Sequence, residues 1–493
     1  MKPSRKKLSN HKTKKSSHRR INRKAALLLL VAAMCAGCAL PVSAGISNNV
    51  NVDDIQSDGN GFAITSPGGG QQVSAAGDVN GDGLGDFIIS APDFYSYGYY
   101  GAAFVVFGKR DSDPVSLYDV YNGEGGFVIF GTYSDSQSFG ESVAAAGDVN
   151  GDGFADVIVG NSGYDYYYGE GYYKGGGYYN DVGKAYIIYG KPDTNPVFAE
   201  SLGSDGTAIN PSDFYGALGA SVSGAGDVNG DGFADVIVGS PGVDNDKGRA
   251  YVIFGGPDLG SELSVGQIGA DVPGFRIEFD YLTQSSERFG ASVSTAGDFD
   301  GDGLADLIVG APIDSYYGNS SGAAFIIYGR ESNAAVSIAG GDHGPILRGS
   351  ASYMGVGFSV STAGDTNGDG LSDVVIGTSP YDEGFEQYNN YGRAFVLLGG
   401  TPASSELRPV DLYSSNEYGF QLQTEDAFTG LGTSVSLAGD FNADGLTDVV
   451  VGEPGGDRQI CSFYNYEPVY CSTGRAYVVY GQPDDSRGPV AAS

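Results

Sequence analysis

Ser142-Val143-Ala144-Ala145-Ala146-Gly147-Asp148-Val149-Asn150-Gly151-Asp152-Gly153-Phe154-Ala155-Asp156-Val157-Ile158-Val159-Gly160 is the stretch that decides the fold. At its centre Asp148, Asn150, Asp152, Phe154 and Asp156 stand at positions 1, 3, 5, 7 and 9 of an acidic loop. Alternate positions turn side-chain oxygens to one concave side, position 7 offers its backbone carbonyl, and glycine at position 6 permits the reversal that wraps a chain around an ion. An all-oxygen set of this kind suits a hard cation, and calcium is the expected one. An EF-hand needs flanking helices and a bidentate Glu at position 12. Position 12 of the chain's first such loop is Ile89, and apolar, β-branched runs such as Val157-Ile158-Val159 read as strand. The loop is therefore expected to be a metal-bound hairpin turn; helix-flanked dockerin modules and Cys-rich calcium repeats are disfavoured on the same ground.

The spacing occurs six times. The other ligand sets are Asp78, Asn80, Asp82, Leu84 and Asp86; Asp227, Asn229, Asp231, Phe233 and Asp235; and Asp298, Asp300, Asp302, Leu304 and Asp306. Asp365, Asn367, Asp369, Leu371 and Asp373 form the fifth, and Asp440, Asn442, Asp444, Leu446 and Asp448 the sixth. About six calcium ions are thus predicted. The loops start 70, 79, 71, 67 and 75 residues apart. Within each interval come a turn such as Gly310-Ala311-Pro312, a variable stretch, a third strand such as Gly248-Arg249-Ala250-Tyr251-Val252-Ile253, and a fourth such as Gly274-Phe275-Arg276-Ile277. Four short strands per unit, glycine-rich punctuation and no helical period predict an all-β fold, a β-propeller of six blades with seven as the alternative. The first strand-like segment, Gly61-Phe62-Ala63-Ile64, is of the fourth type, and the last, Gly474 to Gly481, of the third. The N-terminal strand is accordingly expected to complete the last blade and close the ring.

Residues 1–44 hold 11 Lys and Arg, no acid, and an apolar run from Ala25 to Leu40. This reads as a signal peptide cleaved after Val42-Ser43-Ala44; Cys35-Ala36-Gly37-Cys38 is a less favoured lipoprotein alternative with Cys38 acylated, and Arg19-Arg20 lacks the apolar sequel of a twin-arginine signal. The expected location is secreted, cell-surface or periplasmic. Residues 45–60 form a lead-in, 61–481 the propeller, and 482–493 a polar tail. No later segment has the length and apolarity of a membrane span. Without the leader, 16 basic residues face 60 acidic ones, a formal charge of −44, which argues against a nucleic-acid partner. Nineteen of those acids are loop aspartates, so metal binding should relieve much local repulsion. Cys461 and Cys471, ten residues apart, are expected to pair in an oxidising compartment.

Phe139-Gly140-Glu141-Ser142-Val143 before a loop and Gly310-Ala311-Pro312 after one resemble the FG-GAP repeats of integrin α-subunit propellers. The resemblance covers nearly all of the chain after the leader. Phe289-Gly290 repeats the first element, whereas Leu218-Gly219, Val356-Gly357 and Leu431-Gly432 exchange the aromatic for another apolar residue and Gly69-Gly70 lacks it. Integrin α propellers typically have seven blades with metal loops in only some, whereas six loops occur here in six repeats. The resemblance implies a calcium-binding module for adhesion or ligand binding.

With strands antiparallel in order, the metal loops lie on one face and the second-to-third connections on the other. The latter face is rich in Tyr and Gly, and Tyr97, Tyr99, Tyr166, Tyr168, Tyr172, Tyr178, Tyr215, Tyr281, Tyr317, Tyr353, Tyr391 and Tyr466 are its candidate ligand-binding residues. Tyr gives a flat amphipathic contact at low entropic cost and Gly lets loops adapt, so an extracellular protein or glycan is the expected partner. The plainer alternative is that these rings pack on one another. After the leader the chain has one histidine, His343, and no tryptophan, which excludes His-based triads and histidine zinc sites. No catalytic residue is assigned and the chain is expected not to be an enzyme. A polysaccharide-active propeller using Asp165, Glu170, Asp382 or Glu383 is one alternative, and a structural surface-layer component another. Oligomeric state is not legible.

Overall fold

The computed structural model describes residues 62–483, apart from 66–69, 71, 97, 133–137, 164–181, 214, 282–285, 380–391, 415–416, 425–429, 456–457, 465–466 and 473. The leader and lead-in therefore lie outside the described residues, as does the tail beyond Pro483.

The described chain is nearly all β, with six blade sheets in sequence order and two further two-stranded sheets. Blade one is built from Val73–Gly77, Asp86–Ser96, Tyr99–Val106 and Gly126–Thr132, each antiparallel to the strand before it. Blades two to five repeat this four-strand pattern, ending in Gly206–Asn210, Gly274–Glu278, Ile346–Arg348 and Gly419–Gln423. Blade six has three described strands, Ser434–Gly439, Asp448–Glu453 and Arg475–Val479. Helical structure is limited to short pieces such as Leu117–Tyr121, which sits between third and fourth strands with Ser116 capping its start.

Why the strands read as continuous apolar runs follows from burial on both sides. Asp235–Ser240 is buried throughout. Val236 and Val238 pack with Ile158 and Ile187 of blade two, while Ile237, between them, packs with Leu307 and Val309 of blade four. A strand whose alternate residues face two neighbouring blades has no solvent side, so the usual polar alternation is lost. Inner strands of successive blades pack on one another from blade one to blade six. At four seams a serine hydroxyl of the inner strand donates to a glycine carbonyl of the next blade: Ser142 to Gly219, Ser221 to Gly290, Ser292 to Gly357 and Ser359 to Gly432, all at 2.8–2.9 Å.

A feature absent from the sequence reading joins the blades at their rims. The fourth strand of one blade pairs in parallel with a short strand in the third-to-fourth connection of the next: Ile129 opposite Val197, Ile209 opposite Leu263, Ile277 opposite Val336 and Leu347 opposite Leu407. Ile64 stands opposite Val115 in the same way. The N-terminal strand Ile64–Thr65 thus takes, against blade one, the place of the preceding blade's fourth strand. The expected ladder between it and Arg475–Val479 is not among the described pairings, and blade six remains three-stranded. Its inner strand is correspondingly half-buried or exposed, where the inner strands of blades three to five bury two residues each.

Candidate metal-loop site and the comparisons

All six acidic loops join a first to a second strand, as the spacing predicts. The residue before position 1 pairs with position 9 (Gly77 with Asp86, Gly226 with Asp235, Gly439 with Asp448), and a register shift beside each such pair accommodates the turn. Glycine at position 6 has φ between +81° and +92° in all six, a conformation that a side chain disfavours.

Loop three shows the internal geometry. Asp227 accepts from the backbone N–H groups of Gly230 (2.7 Å), Asp231 (3.1 Å) and Gly232 (2.9 Å). Asn229 Oδ1 accepts from Asp231 N–H, its amide donates to Asp231 Oδ2 at 2.8 Å, and Asp231 Oδ1 accepts from Phe233 N–H at 3.0 Å. Loops one, two, five and six share the Asn–Asp amide bond. Loop four has Asp300 where the others have Asn, and there carboxylate oxygens of Asp298, Asp300 and Asp306 lie within 4.8 Å of one another. Burial, with Asp302 and Asp298 nearby, pushes the Asp300 carboxyl above its usual range. Backbone N–H groups of each loop thus fix the oxygen donors of positions 1 and 5 in all six. These donors fit a hard divalent cation.

Position 9 has a second task that the spacing did not show. Asp235 is fully buried; its Oδ2 accepts from Val228 N–H and its Oδ1 from Gly255 N–H, both at 2.8 Å. Gly255 follows the third strand, so the carboxylate clasps the loop to the end of the neighbouring third strand of its own blade. Every repeat does this, through Gly108, Gly190, Gly329, Gly399 and Gly481 as the distal donors. Desolvation raises the carboxyl to about 6 in Asp86 and Asp373 and to about 7 in Asp156, Asp235 and Asp306. The Oδ1 of each retains a lone pair beyond the one that the distal glycine N–H uses, so clasping and ligation are compatible. A periodic Asp cannot be told from a purely metal-binding one by sequence, because the second N–H donor lies 20 or more residues away.

The tyrosine candidates divide. Tyr97, Tyr166, Tyr168, Tyr172, Tyr178, Tyr391 and Tyr466 lie outside the described residues, as do Asp165, Glu170, Asp382 and Glu383. Tyr215 is exposed, with φ +60°, and Tyr317 is exposed in an edge-to-face pair with Tyr316, centroids 4.9 Å apart. Tyr353 reaches the same region, its N–H donating to Asn319 carbonyl at 2.7 Å. Tyr99 instead packs its ring, tilted, against Phe130 and Phe198, and Tyr281 packs edge-to-face on Phe279. Behind this surface Arg348, 1% exposed, lies 2.8 Å from Asp314 Oδ2, with its Nε 2.9 Å from Glu406 and its guanidinium 4.5 Å from the Tyr316 ring. The Nε contact is an ion pair whose angle falls short of a hydrogen bond. Cys461 and Cys471 lie on the paired strands Arg458–Tyr464 and Glu467–Ser472, with Cys471 opposite Gln459 and Cys461 at the register shift.

Residues 63–106, 139–188, 218–253, 289–327, 356–397 and 431–479 each match the FG-GAP repeat, over half of the chain in total. The chain belongs to the FG-GAP repeat family. Among curated proteins it is 32% identical over 246 residues to integrin alpha pat-2 of Caenorhabditis elegans, covering 48% of this chain and 17% of that protein. It is 33% identical to integrin alpha-4 of Xenopus laevis over 166 residues, 32% of this chain and 14% of the other. Phosphatidylinositol-glycan-specific phospholipase D of Bos taurus is 31% identical over 250 residues, 49% of this chain and 27% of its own length. The matched part thus spans a quarter or less, or little more, of each relative. The matched segments coincide with the blades: each begins at or near the inner strand and ends in the third, and six are found. The integrin-like FG-GAP reading of the motifs stands, as does the all-β propeller class.

Proposed function

We propose that this FG-GAP chain is an exported, calcium-stabilised propeller that serves as an adhesion or ligand-binding module, taking an extracellular protein or glycan on its tyrosine- and glycine-rich face. The observation that supports the metal half is the sixfold recurrence of an Asp-rich hairpin whose position 1 and 5 carboxylates are fixed by the loop's own N–H groups, with oxygens of Asp298, Asp300 and Asp306 within 4.8 Å of one another in loop four. Asp at positions 1, 5 and 9, Asn or Asp at 3 and the carbonyl at 7 would hold the ion. The ion supplies charge compensation for three or four carboxylates per loop, and the chain's own N–H groups fix the oxygens around it. At free calcium ten times a site's Kd each ion adds about 1.4 kcal/mol, so six independent sites contribute about 8 kcal/mol, comparable to a domain's whole net stability. Calorimetry should show EDTA lowering the Tm by more than about ten degrees; an unchanged Tm overturns the metal reading.

The binding half rests on the exposed rings of Tyr215, Tyr316 and Tyr317 and on the similarity to integrin α subunits. Protein and glycan arrays probed with the purified chain should give a ligand whose capture is lost when Tyr316 and Tyr317 become Ser; unaltered capture places the ligand elsewhere. Similarity to a phospholipase over half of the chain is the one observation favouring a catalytic reading. Turnover of a glycosylated phosphoinositide, or of a polysaccharide, by the same preparation would replace the binding reading. Export, cleavage after Ala44 and a Cys461–Cys471 bridge belong to this proposal and are read directly by intact-mass measurement of the secreted chain.

A further inference from the structure

The metal loops of neighbouring blades are interlocked. The N–H of position 8 in one loop donates to the carbonyl of position 1 in the loop before it: Ala155 to Asp78, Ala234 to Asp148, Ala305 to Asp227, Ser372 to Asp298 and Thr447 to Asp365, at 2.9–3.1 Å. The residue beyond each third strand adds a bond to the carbonyl of position 2, as from Arg330 to Val228 at 2.8 Å. The side chain at position 7 then lies over position 4 of the preceding loop. That position is glycine in loops one to five, and a Cβ would fall 2.7 Å from the Phe154 ring at Gly81, 2.9 Å from Leu304 at Gly230, 2.9 Å from Leu371 at Gly301 and 3.0 Å from Leu446 at Gly368. Gly151 is covered by Phe233 more closely still.

The sixth loop is the exception. Its position 4 is Ala443, held at φ +59°. Among the described residues no backbone bond from loop one reaches Asp440 or Phe441.

From this nesting we propose that calcium binding is coupled between adjacent loops, along a row that runs from loop one to loop six without wrapping around. The inference rests on the calcium reading above. Position 7 would contribute its carbonyl to its own ion and its side chain to the preceding cage, while position 8 holds the backbone of the Asp at position 1 of that preceding cage. Fixing positions 7 and 8 by an ion in one loop therefore removes freedom from the loop it covers, and the second ion meets a site already ordered. Such coupling is reciprocal and, in a repeat whose units touch only their neighbours, adds seam by seam. Five seams carry it; the seam between blades six and one does not.

The test is calcium titration of the full secreted chain by isothermal calorimetry, comparing wild type with Gly151→Ala, Leu304→Ala and Ala443→Gly. None of these changes removes a ligand oxygen. Wild type should bind six ions with a Hill coefficient above 1. Gly151→Ala forces loops two and three apart, and Leu304→Ala removes the wedge on loop three; each should weaken binding about five-fold at the loops of its seam and lower the Hill coefficient. Ala443→Gly should leave the isotherm unchanged. Six ions bound with a Hill coefficient of 1, unaffected by either seam variant, overturn the coupling and leave the calcium sites standing. No calcium bound by wild type overturns both.

Discussion

Replacing Asp235 should cost far more than replacing Asp231, although both are loop aspartates four residues apart and both are expected to face the same ion. Asp231 is a solvent-facing residue whose bonds are local, to Asn229 and Phe233. With free calcium at ten times Kd, Asp231→Ala loses about 1.4 kcal/mol for the ion and little else. Asp235 is fully buried and is the acceptor for Val228 and Gly255 N–H groups. Asp235→Ala leaves both donors buried without a partner, at about 1–3 kcal/mol each, so its total loss should be about 3–7 kcal/mol. Asp235→Asn retains one acceptor and turns an amide towards the other donor, and should fall between. Urea unfolding at fixed free calcium measures all three, with the ion compensating the buried charge throughout. Equal losses for Asp231→Ala and Asp235→Ala, within about 0.5 kcal/mol, would refute the clasp.

Closure of the ring has a stated register. Third and fourth strands pair identically in five blades (Ala103 with Ile129, Ala185 with Ile209, Ala250 with Ile277, Ala324 with Leu347, Ala394 with Leu422), so Ala476 should face Ile64. Directly opposed Cβ atoms lie about 4.5–5.5 Å apart, within reach of a disulfide after modest adjustment; Ile64→Cys with Ala476→Cys should therefore cross-link within one chain by mass spectrometry. A cross-link between chains, or none, refutes it. Arg348→Ala strands Asp314, 3% exposed, and should lower stability by about 3–5 kcal/mol in urea at saturating calcium; a loss below about 1 kcal/mol contradicts the buried pairing. The metal-free protein should have an inverted pH response. The position-9 carboxyls of Asp86, Asp156, Asp235, Asp306 and Asp373 are raised in the folded state to about 6 to 7, so folding favours their protonated form; this stabilisation is complete below the unfolded value near 4 and is lost as pH rises through 6 to 7. In EDTA the Tm should rise on acidification from about pH 8 to 5.5; a flat or falling Tm counts against the buried carboxyls.

The tyrosine face was legible as composition but not as a surface. Tyr99 and Tyr317 look alike in sequence, yet Tyr99 opens a third strand and packs on Phe130 and Phe198 while Tyr317 stands in solvent beside Tyr316. Which ring is buried depends on what the adjacent blade places over it, and that partner is about 100 residues away for Phe198. Arg348 gave no signal either: it sits in a fourth strand where other blades carry Glu278 or Gln423, and its partners come from two other segments.

Sequence by itself determined the unit: six acidic hairpins, the strands on either side, the period, and hence a radial all-β fold. Those features are local, because loop spacing and apolar runs dictate backbone conformation within a dozen residues. Tertiary structure alone decided how strands and units meet: the position-9 clasp within each blade, the rim strands, and the wedge of position 7 on the preceding loop's glycine. Contacts between repeats join residues some 70 apart, and a repeating sequence carries the same signal whether or not its neighbour is in place.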